Sequence, residues 1–228
     1  MFEIKKNPKK IYVLGTGSGW ELAKEPTDAT IYCLNDYVRQ EVYGIKPDIL
    51  FMLDILDEKP QVISGQDDLG AIIRRINNMQ VRFIAPYKYE EIPLSEPFPL
   101  DEAVKTFGYP YFSNTICYMI CFAMLQGAEE IHLFGVNQAS SKEYGEEKGG
   151  VEYWIGQALG RGIKVVIHGE LSQVLKYHAT RTGGYSMLYG YNQTYEQIKS
   201  VSERFGVPIV HKLTAPPKPV ARELRPNR

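Results

Sequence analysis

The sequence predicts an α/β fold, a three-layer sandwich with a mainly parallel central sheet and helices on both faces. Two observations predict this class. Short apolar runs that are typical of buried strands alternate along the chain with longer stretches of helical pattern. Some of these runs are almost continuously apolar, as at 49–53, which is typical of parallel strands that are buried on both faces.

Length and composition favour a single domain over residues 1–212, in which 176–212 form a C-terminal extension, followed by a disordered Pro-rich basic tail at 213–228. A chain of 228 residues with 44% hydrophobic content can bury a substantial core. Its formal net charge of −1 gives no strong nucleic-acid signature. The cysteines lie in apolar runs, and neither a signal peptide nor a membrane-spanning run is visible. We therefore expect a cytoplasmic protein without a membrane span, which could form a homo-oligomer.

A glycine-rich turn at 15–19, G-T-G-S-G, follows the first predicted strand at 10–14 and precedes a short helix at 20–24. Such a turn can present backbone amides and the positive end of the helix dipole to a phosphate. Glycines suit this task because they approach a ligand closely and tolerate positive φ. The spacing departs from the dinucleotide-binding pattern G-x-G-x-x-G because Trp20 replaces the third glycine. The turn is predicted to bind phosphate, with a purely structural tight turn as the alternative.

Polar residues end the second and third predicted strands. Asn35 and Asp36 follow the strand at 30–34, and Asp54 follows the strand at 49–53. Because ligands of open α/β sheets bind beyond the carboxyl ends of the strands, these side chains are expected on the same rim as the glycine turn. Asn35 and Asp36 are placed to hold a ribose or a base. Asp54 either faces the site or caps the turn that follows it.

A buried helix is predicted at 116–126 because the alanine, cysteine and methionine content of the segment suits a helix packed against the sheet, and Ser113 is its predicted N-cap. The strand that follows, at 130–134, leads to Gly135 and Asn137 on the same rim. Before this helix, the proline-rich segment at 86–110 is interpreted as an irregular loop, either a lid over the site or plain surface.

The remaining predicted elements follow a polar segment at 138–150, whose charges are expected to be solvated. They are a helix at 151–159, a strand at 164–168, a C-terminal helix at 192–205 and a last strand at 207–210. His132, inside a strand, is expected to be a packed core residue. His168, at the end of a strand, is a candidate for ligand contact.

Three parts of the sequence together resemble a known superfamily: the glycine turn with Asn35, the strand leading to Asp54, and the segment from Ser113 to Asn137 with its G-x-x-E-I-x-L-x-G-x-N pattern. They resemble the Rossmann-like superfamily of bacterial CMP-sialic-acid sialyltransferases, archaeal 6-hydroxymethylpterin diphosphokinase-like proteins and flagellin-associated glycosyltransferases. The resemblance covers about residues 10 to 176. It implies a Rossmann-like fold in which the first turn, G-N-G-P-S-L in the sialyltransferases, contacts the nucleotide phosphate.

The resemblance also implies a nucleotide-binding transferase, as first choice a glycosyltransferase that uses a nucleotide-sugar donor. The sialyltransferases use a histidine base after the last of these motifs, and residues 138–161 contain no histidine. The base would then be Asp54 or a glutamate of the segment 146–152, and Tyr144 or Tyr153 could contact phosphate. The residues predicted to bind nucleotide are Gly15, Thr16, Gly17, Ser18, Gly19, Asn35, Asp36, Ser113, Asn114, Thr115, Gly135, Asn137 and Tyr144, and Asp54 is the predicted catalytic residue.

Three alternatives stay open. A diphosphokinase of the pterin type would use ATP, with Mg²⁺ held by Asp54 and Asp57; otherwise no cofactor is firmly implied, and no metal-binding motif is visible. A methyltransferase would bind S-adenosylmethionine at the turn and its ribose at Asp36, although Val13 stands where an acidic residue is usual and no D/N-P-P-Y motif follows. A non-catalytic nucleotide-binding protein would have a pocket but no identifiable base, and this sequence predicts a pocket without the histidine base of the sialyltransferases.

Overall fold

A computed structural model of the chain describes residues 6–25, 27–38, 43–54, 69–138, 142–169 and 172–175, the side chains of 142–145 excepted. In these residues seven strands form one sheet in the order β5-β4-β3-β2-β1-β6-β7, and each neighbouring pair is parallel. The α/β prediction is therefore confirmed. The strands are β1 Asn7–Leu14, β2 Ala29–Leu34, β3 Ile49–Phe51, β4 Arg82–Ala85, β5 Ser95–Pro97, β6 Glu130–Phe134 and β7 Lys164–Ile167.

Strand β1 lies in the interior of the sheet, between β2 and β6. Leu14, its last residue, pairs with Cys33 of β2 on one side and with Phe134 of β6 on the other. Because all three strands run in the same direction, the segments that follow them leave the sheet side by side. This register brings the glycine turn, the end of β2 and the segment after β6 to one edge of the sheet.

Helices cover both faces of the sheet, as predicted. They are α1 Leu69–Met79, α2 Leu100–Phe107, α3 Thr115–Leu125 and α4 Lys142–Gly160, with 3₁₀ turns at Trp20–Lys24 and Asn35–Val38. Helix α1 is amphipathic and buries Ile72 and Ile76 against one face, in the same core as Leu50. Helix α3 is apolar nearly all round because it is buried against the other face, beside α4. Among the described residues, none of the helices is long and apolar enough to cross a membrane.

Two segments in which the sequence predicts no helix or strand contain regular structure. The segment 86–110 holds β5, a three-residue edge strand, and the short helix α2. Both are flanked by prolines, which is why the composition of the segment indicated an irregular loop. The polar segment 138–150 contains the first half of α4. Gly150 is needed inside this helix because a Cβ at that position would collide with Ser113 Oγ and lie 2.8 Å from Ser113 Cβ. The predicted elements at 192–210, the extension 176–212 and the tail lie outside the described residues.

Candidate functional site

A cleft of about 980 Å³ lies at the carboxyl ends of the strands. Its walls are the glycine turn after β1, the ends of β2 and β3, the segment after β6, and the start of α3. A volume of this size suits a small-molecule ligand. The cleft therefore occupies the place where open α/β sheets bind their ligands.

The structure brings most of the predicted site residues together. Those that line the cleft are Gly15, Thr16, Gly17, Ser18, Asn35, Asp36, Asp54, Ser113, Asn114, Thr115, Gly135 and Asn137. Gly19 is not among the lining residues; it precedes the 3₁₀ turn, with φ +97°. The side chain of Tyr144, which is in α4, lies outside the described residues.

The glycine turn uses several of its amides to hold the protein together. Gly15 donates to the carbonyl of Phe134 at 2.8 Å, and Gly17 donates to that of Gly135 at 2.8 Å. The Gly19 amide donates to the Glu21 carboxylate at 3.0 Å. Within the described part of the chain, the amides of Thr16 and Ser18 have no acceptor. The turn can therefore offer fewer amides to an anion than its sequence suggests.

Close packing explains why glycine is required in this turn. A Cβ at either Gly15 or Gly17 would lie 2.6 Å from the carbonyl oxygen of Gly135. Gly135 has φ +64°, and a Cβ there would lie 2.6 Å from the Gly17 oxygen and 2.7 Å from the Gly15 oxygen. Positive φ occurs at Gly19 but at neither Gly15 nor Gly17. Packing against Gly135 therefore requires glycine at both positions, and the expectation that these two glycines also serve ligand approach stays a prediction.

The end of β2 is fixed to the same turn. Tyr37, in the 3₁₀ turn that begins at Asn35, donates its hydroxyl to the Gly15 carbonyl at 2.9 Å. Burial raises the pKa of Tyr37 far above its usual range, so the hydroxyl keeps its proton and remains a donor. This bond holds Asn35 and Asp36 beside the glycine turn, at the position predicted for a ribose or base contact.

The start of α3 carries the N-cap one residue later than predicted. Asn114 is the cap, because its side-chain oxygen accepts from the Cys117 amide at 3.2 Å. Ser113 instead donates its hydroxyl to the main-chain carbonyl of Glu147 in α4, at 2.6 Å. The next two amides, of Thr115 and Ile116, begin the helix at the cleft, where a helix has unsatisfied N–H groups and the positive end of its dipole. This end of α3 is therefore suited to bind an anion.

The charged side chains lining the described cleft are three carboxylates, of Asp36, Asp54 and Glu147. Asp54 follows β3, as predicted. Glu147 is the member of the segment 146–152 that reaches the cleft, and Asn114 Nδ2 donates to its Oε2 at 3.0 Å. Glu152 is engaged elsewhere, since its carboxylate accepts from the Leu175 amide at 2.7 Å. Two candidates for a carboxylate base thus remain, Asp54 and Glu147.

Some lining residues were not found by sequence reasoning. Tyr118 stacks on Phe112 with ring centroids 4.2 Å apart, and burial raises its pKa. Helical spacing could have found Tyr118, because it lies one turn after Asn114. Gln138 and Gln173 lie in segments that follow β6 and β7, and no sequence pattern marks them.

Neither histidine of the adjoining strands is part of the cleft. His132 Nδ1 and His168 Nε2 lie 2.8 Å apart, and His132 Nε2 contacts Glu130 at 2.8 Å. Desolvation lowers the pKa of His132, against the opposing effect of its hydrogen bond to Glu130. The prediction of a packed role for His132 is confirmed, and His168 is not placed at the cleft.

A metal site is a separate question. No group of three or more histidine, cysteine, aspartate or glutamate side chains that could hold a metal ion occurs in the described parts of the chain. Asp57, which the diphosphokinase alternative would use together with Asp54, lies outside them.

Comparison with known proteins relates this architecture to solved structures. No protein-family model and no curated protein matches the sequence. A variant of the sialyltransferase CST-II in complex with CMP has a TM-score of 0.50 and 14% identity, covering 89% of this chain and 100% of that chain. CstII from Campylobacter jejuni with the substrate analogue CMP-3FNeuAc has a TM-score of 0.51 and 15% identity, covering 86% and 99%. The chain thus has a Rossmann-like fold that resembles these sialyltransferases over most of its length.

Proposed function

We propose that the protein is a nucleotide-dependent transferase, specifically a glycosyltransferase that binds a nucleotide-sugar donor in the cleft. The start of α3 carries this proposal: its first residues, Thr115 and Ile116, line the same cleft as Asn35 and Asp36, in a fold whose solved neighbours hold CMP or a CMP-sugar analogue. A phosphate at this helix end and a ribose near the end of β2 would match the usual positions in such folds, where helix N-termini bind phosphate and strand ends bind ribose.

The phosphate contacts would come from backbone rather than from basic side chains. Thr115 and Ile116 supply two amides at the start of α3, and Thr16 and Ser18 supply two more across the cleft. The hydroxyl of Thr16 is exposed beside them. Amides that are already fixed in place stabilise the negative charge that builds up on a leaving phosphate without reorganising.

The three carboxylates favour a donor with a single phosphate. Asp36, Asp54 and Glu147 would repel a nucleotide triphosphate, or would need a cation between them and its phosphates. A CMP-sugar carries only one phosphodiester charge. We therefore expect the order of affinity to be CMP, then UDP, then ATP.

In the proposed reaction an acceptor hydroxyl forms a bond to the anomeric carbon while the bond from that carbon to the phosphate oxygen breaks. The leaving electron pair stays on the nucleotide phosphate, which the amides stabilise. A carboxylate base removes the hydroxyl proton of the acceptor. We assign this role to Asp54, because Glu147 already accepts a hydrogen bond from Asn114.

Titration calorimetry with CMP, UDP, ATP with and without Mg²⁺, and S-adenosylmethionine tests the ligand class. We expect measurable binding of CMP without a metal ion. Binding of ATP only in the presence of Mg²⁺ would favour the diphosphokinase alternative, and binding of S-adenosylmethionine alone would favour the methyltransferase. If CMP binds but no CMP-sugar is transferred or hydrolysed, the non-catalytic alternative holds.

Asp54→Asn tests the proposed base. We expect it to bind CMP like the parent but to lose about 10² to 10⁴ in turnover of a CMP-sugar, because a positioned base typically contributes that much. Asp101→Asn, at an exposed position in the first turn of α2, is the matched control and should keep full turnover. Full activity in Asp54→Asn together with an inactive Glu147→Gln would transfer the role to Glu147.

A further inference from the structure

Three tyrosines form a strip of neighbouring rings beside the cleft, which we call the tyrosine strip: Tyr109, Tyr111 and Tyr153. Tyr109 is 70% exposed, Tyr111 is 39% exposed, and Tyr153 is half-buried. The ring centroids of Tyr109 and Tyr111 lie 6.4 Å apart, and those of Tyr111 and Tyr153 lie 5.8 Å apart. Contiguous exposed aromatic rings typically mark a surface that binds a ligand or a partner.

The tyrosine strip adjoins the cleft through two segments of the chain. Tyr111 directly precedes Phe112, which lines the cleft, so the two Cα atoms are about 3.8 Å apart. Tyr111 also lies against Gly149 of α4, where an added Cβ would be 3.0 Å from the tyrosine hydroxyl oxygen. Gly149 comes two residues after Glu147, which is another lining residue. The strip therefore continues the wall formed by Phe112 and Glu147 onto the exposed surface.

Helix α4 holds the backbone of the strip in place. Tyr153 donates its hydroxyl to the Tyr109 carbonyl at 3.4 Å, and the indole N–H of Trp154, which is buried, donates to the Tyr111 carbonyl at 2.7 Å. Trp154 also stacks on Phe112, with ring centroids 4.7 Å apart. Because the backbone is fixed before a ligand arrives, covering these rings costs little conformational entropy.

The rings of Tyr109 and Tyr111 offer both apolar faces and hydroxyl groups. The two rings are tilted by 53° rather than stacked, so their faces do not cover each other. Among the described residues, neither hydroxyl has a hydrogen-bond partner. A pyranose ring fits such a surface, because the C–H groups on one of its faces pack on an aromatic ring while its hydroxyl groups hydrogen-bond with phenolic hydroxyls.

We propose that the tyrosine strip is the acceptor subsite and binds a glycan, whose pyranose rings pack on Tyr109 and Tyr111 while the hydroxyl to be glycosylated reaches the cleft past Phe112. This inference rests on the proposed function, since it supplies the acceptor for a donor bound in the cleft. Continuity of the strip with the cleft favours a glycan over a second copy of this chain, and the experiments below separate these two occupants.

The test starts from an array of defined oligosaccharides with gluco-, galacto- and manno-configured pyranoses, probed with the full chain in the presence of CMP. We expect the parent to bind at least one oligosaccharide. Calorimetry with that oligosaccharide should show about three- to tenfold weaker binding to Tyr109→Ala, whereas Tyr109→Phe keeps the ring and should stay within about twofold of the parent. Tyr87→Ala is the matched control, because Tyr87 is 59% exposed but belongs neither to the strip nor to the lining of the cleft.

Three outcomes would overturn the proposal. The first is that the parent binds no oligosaccharide on the array. The second is that Tyr109→Phe loses as much affinity as Tyr109→Ala, because ring packing would then not be the cause. The third is that Tyr87→Ala loses as much as Tyr109→Ala, because the effect would then not be specific to the strip.

Two further measurements exclude a structural role and an interface. The Tm of Tyr109→Ala should lie within about 2 °C of the parent because the side chain is exposed, and a larger fall would show that Tyr109 supports the fold. Sedimentation should give the parent and Tyr109→Ala the same oligomeric state. A parent oligomer that dissociates in Tyr109→Ala would assign the strip to an interface between copies and overturn the glycan site.

Calorimetry with CMP distinguishes a failure of this inference from a failure of the proposed function. If the parent binds CMP but no oligosaccharide, the donor site stands and the acceptor subsite is wrong. If the parent binds an oligosaccharide through Tyr109 but does not bind CMP, the proposed function fails, and the strip is a glycan-binding surface rather than an acceptor subsite.

Discussion

The glycine turn at 15–19 and the start of α3 at 114–116 border the same cleft but differ in how many of their backbone amides are bonded within the protein. In the turn, the three glycine amides donate to the protein itself, to Phe134, Gly135 and Glu21. At the start of α3 a side chain caps the third amide of the helix, and the first two amides belong to residues that line the cleft. The glycine-rich motif thus serves in part to pack the turn against Gly135, and the helix end beside it is a second place suited to bind an anion.

The largest expected effect tests the packing of the turn against Gly135. Gly135→Ala should lower the free energy of unfolding by about 3 kcal/mol or more, since it combines left-handed strain with collisions against the Gly15 and Gly17 carbonyls. Gly127→Ala is the matched control, because Gly127 also has positive φ (+76°) but no atom within 4 Å of the added Cβ. It should lose only about 1 kcal/mol. Urea unfolding measures both, and equal losses would contradict the packing argument.

An intermediate effect is expected at the start of α3. Asn114→Ala removes the cap and should cost about 1–2 kcal/mol of stability in urea unfolding. Asn114→Ser should recover most of that loss because serine is also a good cap. The same series should weaken CMP binding in the order Ser, then Ala, as the helix end becomes less ordered. If Asn114→Ala were as stable as the parent, the assignment of Asn114 as the cap would be wrong.

The smallest effect concerns the Glu21 carboxylate, which accepts a hydrogen bond from the Gly19 amide. Glu21→Gln removes a negative charge beside the turn while stability changes by less than about 0.5 kcal/mol, because Glu21 is exposed. CMP should bind about twofold more tightly at low salt, and the gain should vanish in high salt. Glu25→Gln changes the net charge equally without touching the turn amide and should give a smaller gain. Equal gains would show that only long-range charge matters.

Much of the site's location could be predicted from the sequence, because strand order and rim position follow from simple patterns. Apolar runs located β1, β2 and β3, and the rule that ligands bind beyond the strand ends placed Asn35 and Asp54 correctly at the cleft. The prediction of Ser113 as the N-cap was wrong because serine and asparagine are both good caps and the two residues are adjacent. Only the carbonyl of Glu147, on another helix, decides between them.

Other features depend on contacts that no local pattern contains. The first half of α4 was missed because Gly149 and Gly150 suggest a break, whereas Gly150 is the residue that lets α4 approach Ser113. Glycine is required at positions 15 and 17 because both pack against Gly135. This residue is distant in the sequence but follows β6, which pairs with β1 in the sheet. Gln138 and Gln173 carry no sequence signal, since only the fold brings the segments after β6 and β7 to the cleft.

The interior position of β1 has a consequence for how the chain is made. Lys10 pairs with Glu130, so the partner that closes one side of β1 is synthesised 120 residues later, after β2 to β5 have emerged. At about 5–20 residues per second, the nascent protein exposes that side of β1 for roughly 6 to 24 seconds. An open strand edge is a template for pairing with other chains. Purified fragments that end before residue 130 should therefore aggregate or recruit chaperones more than fragments that extend through β7.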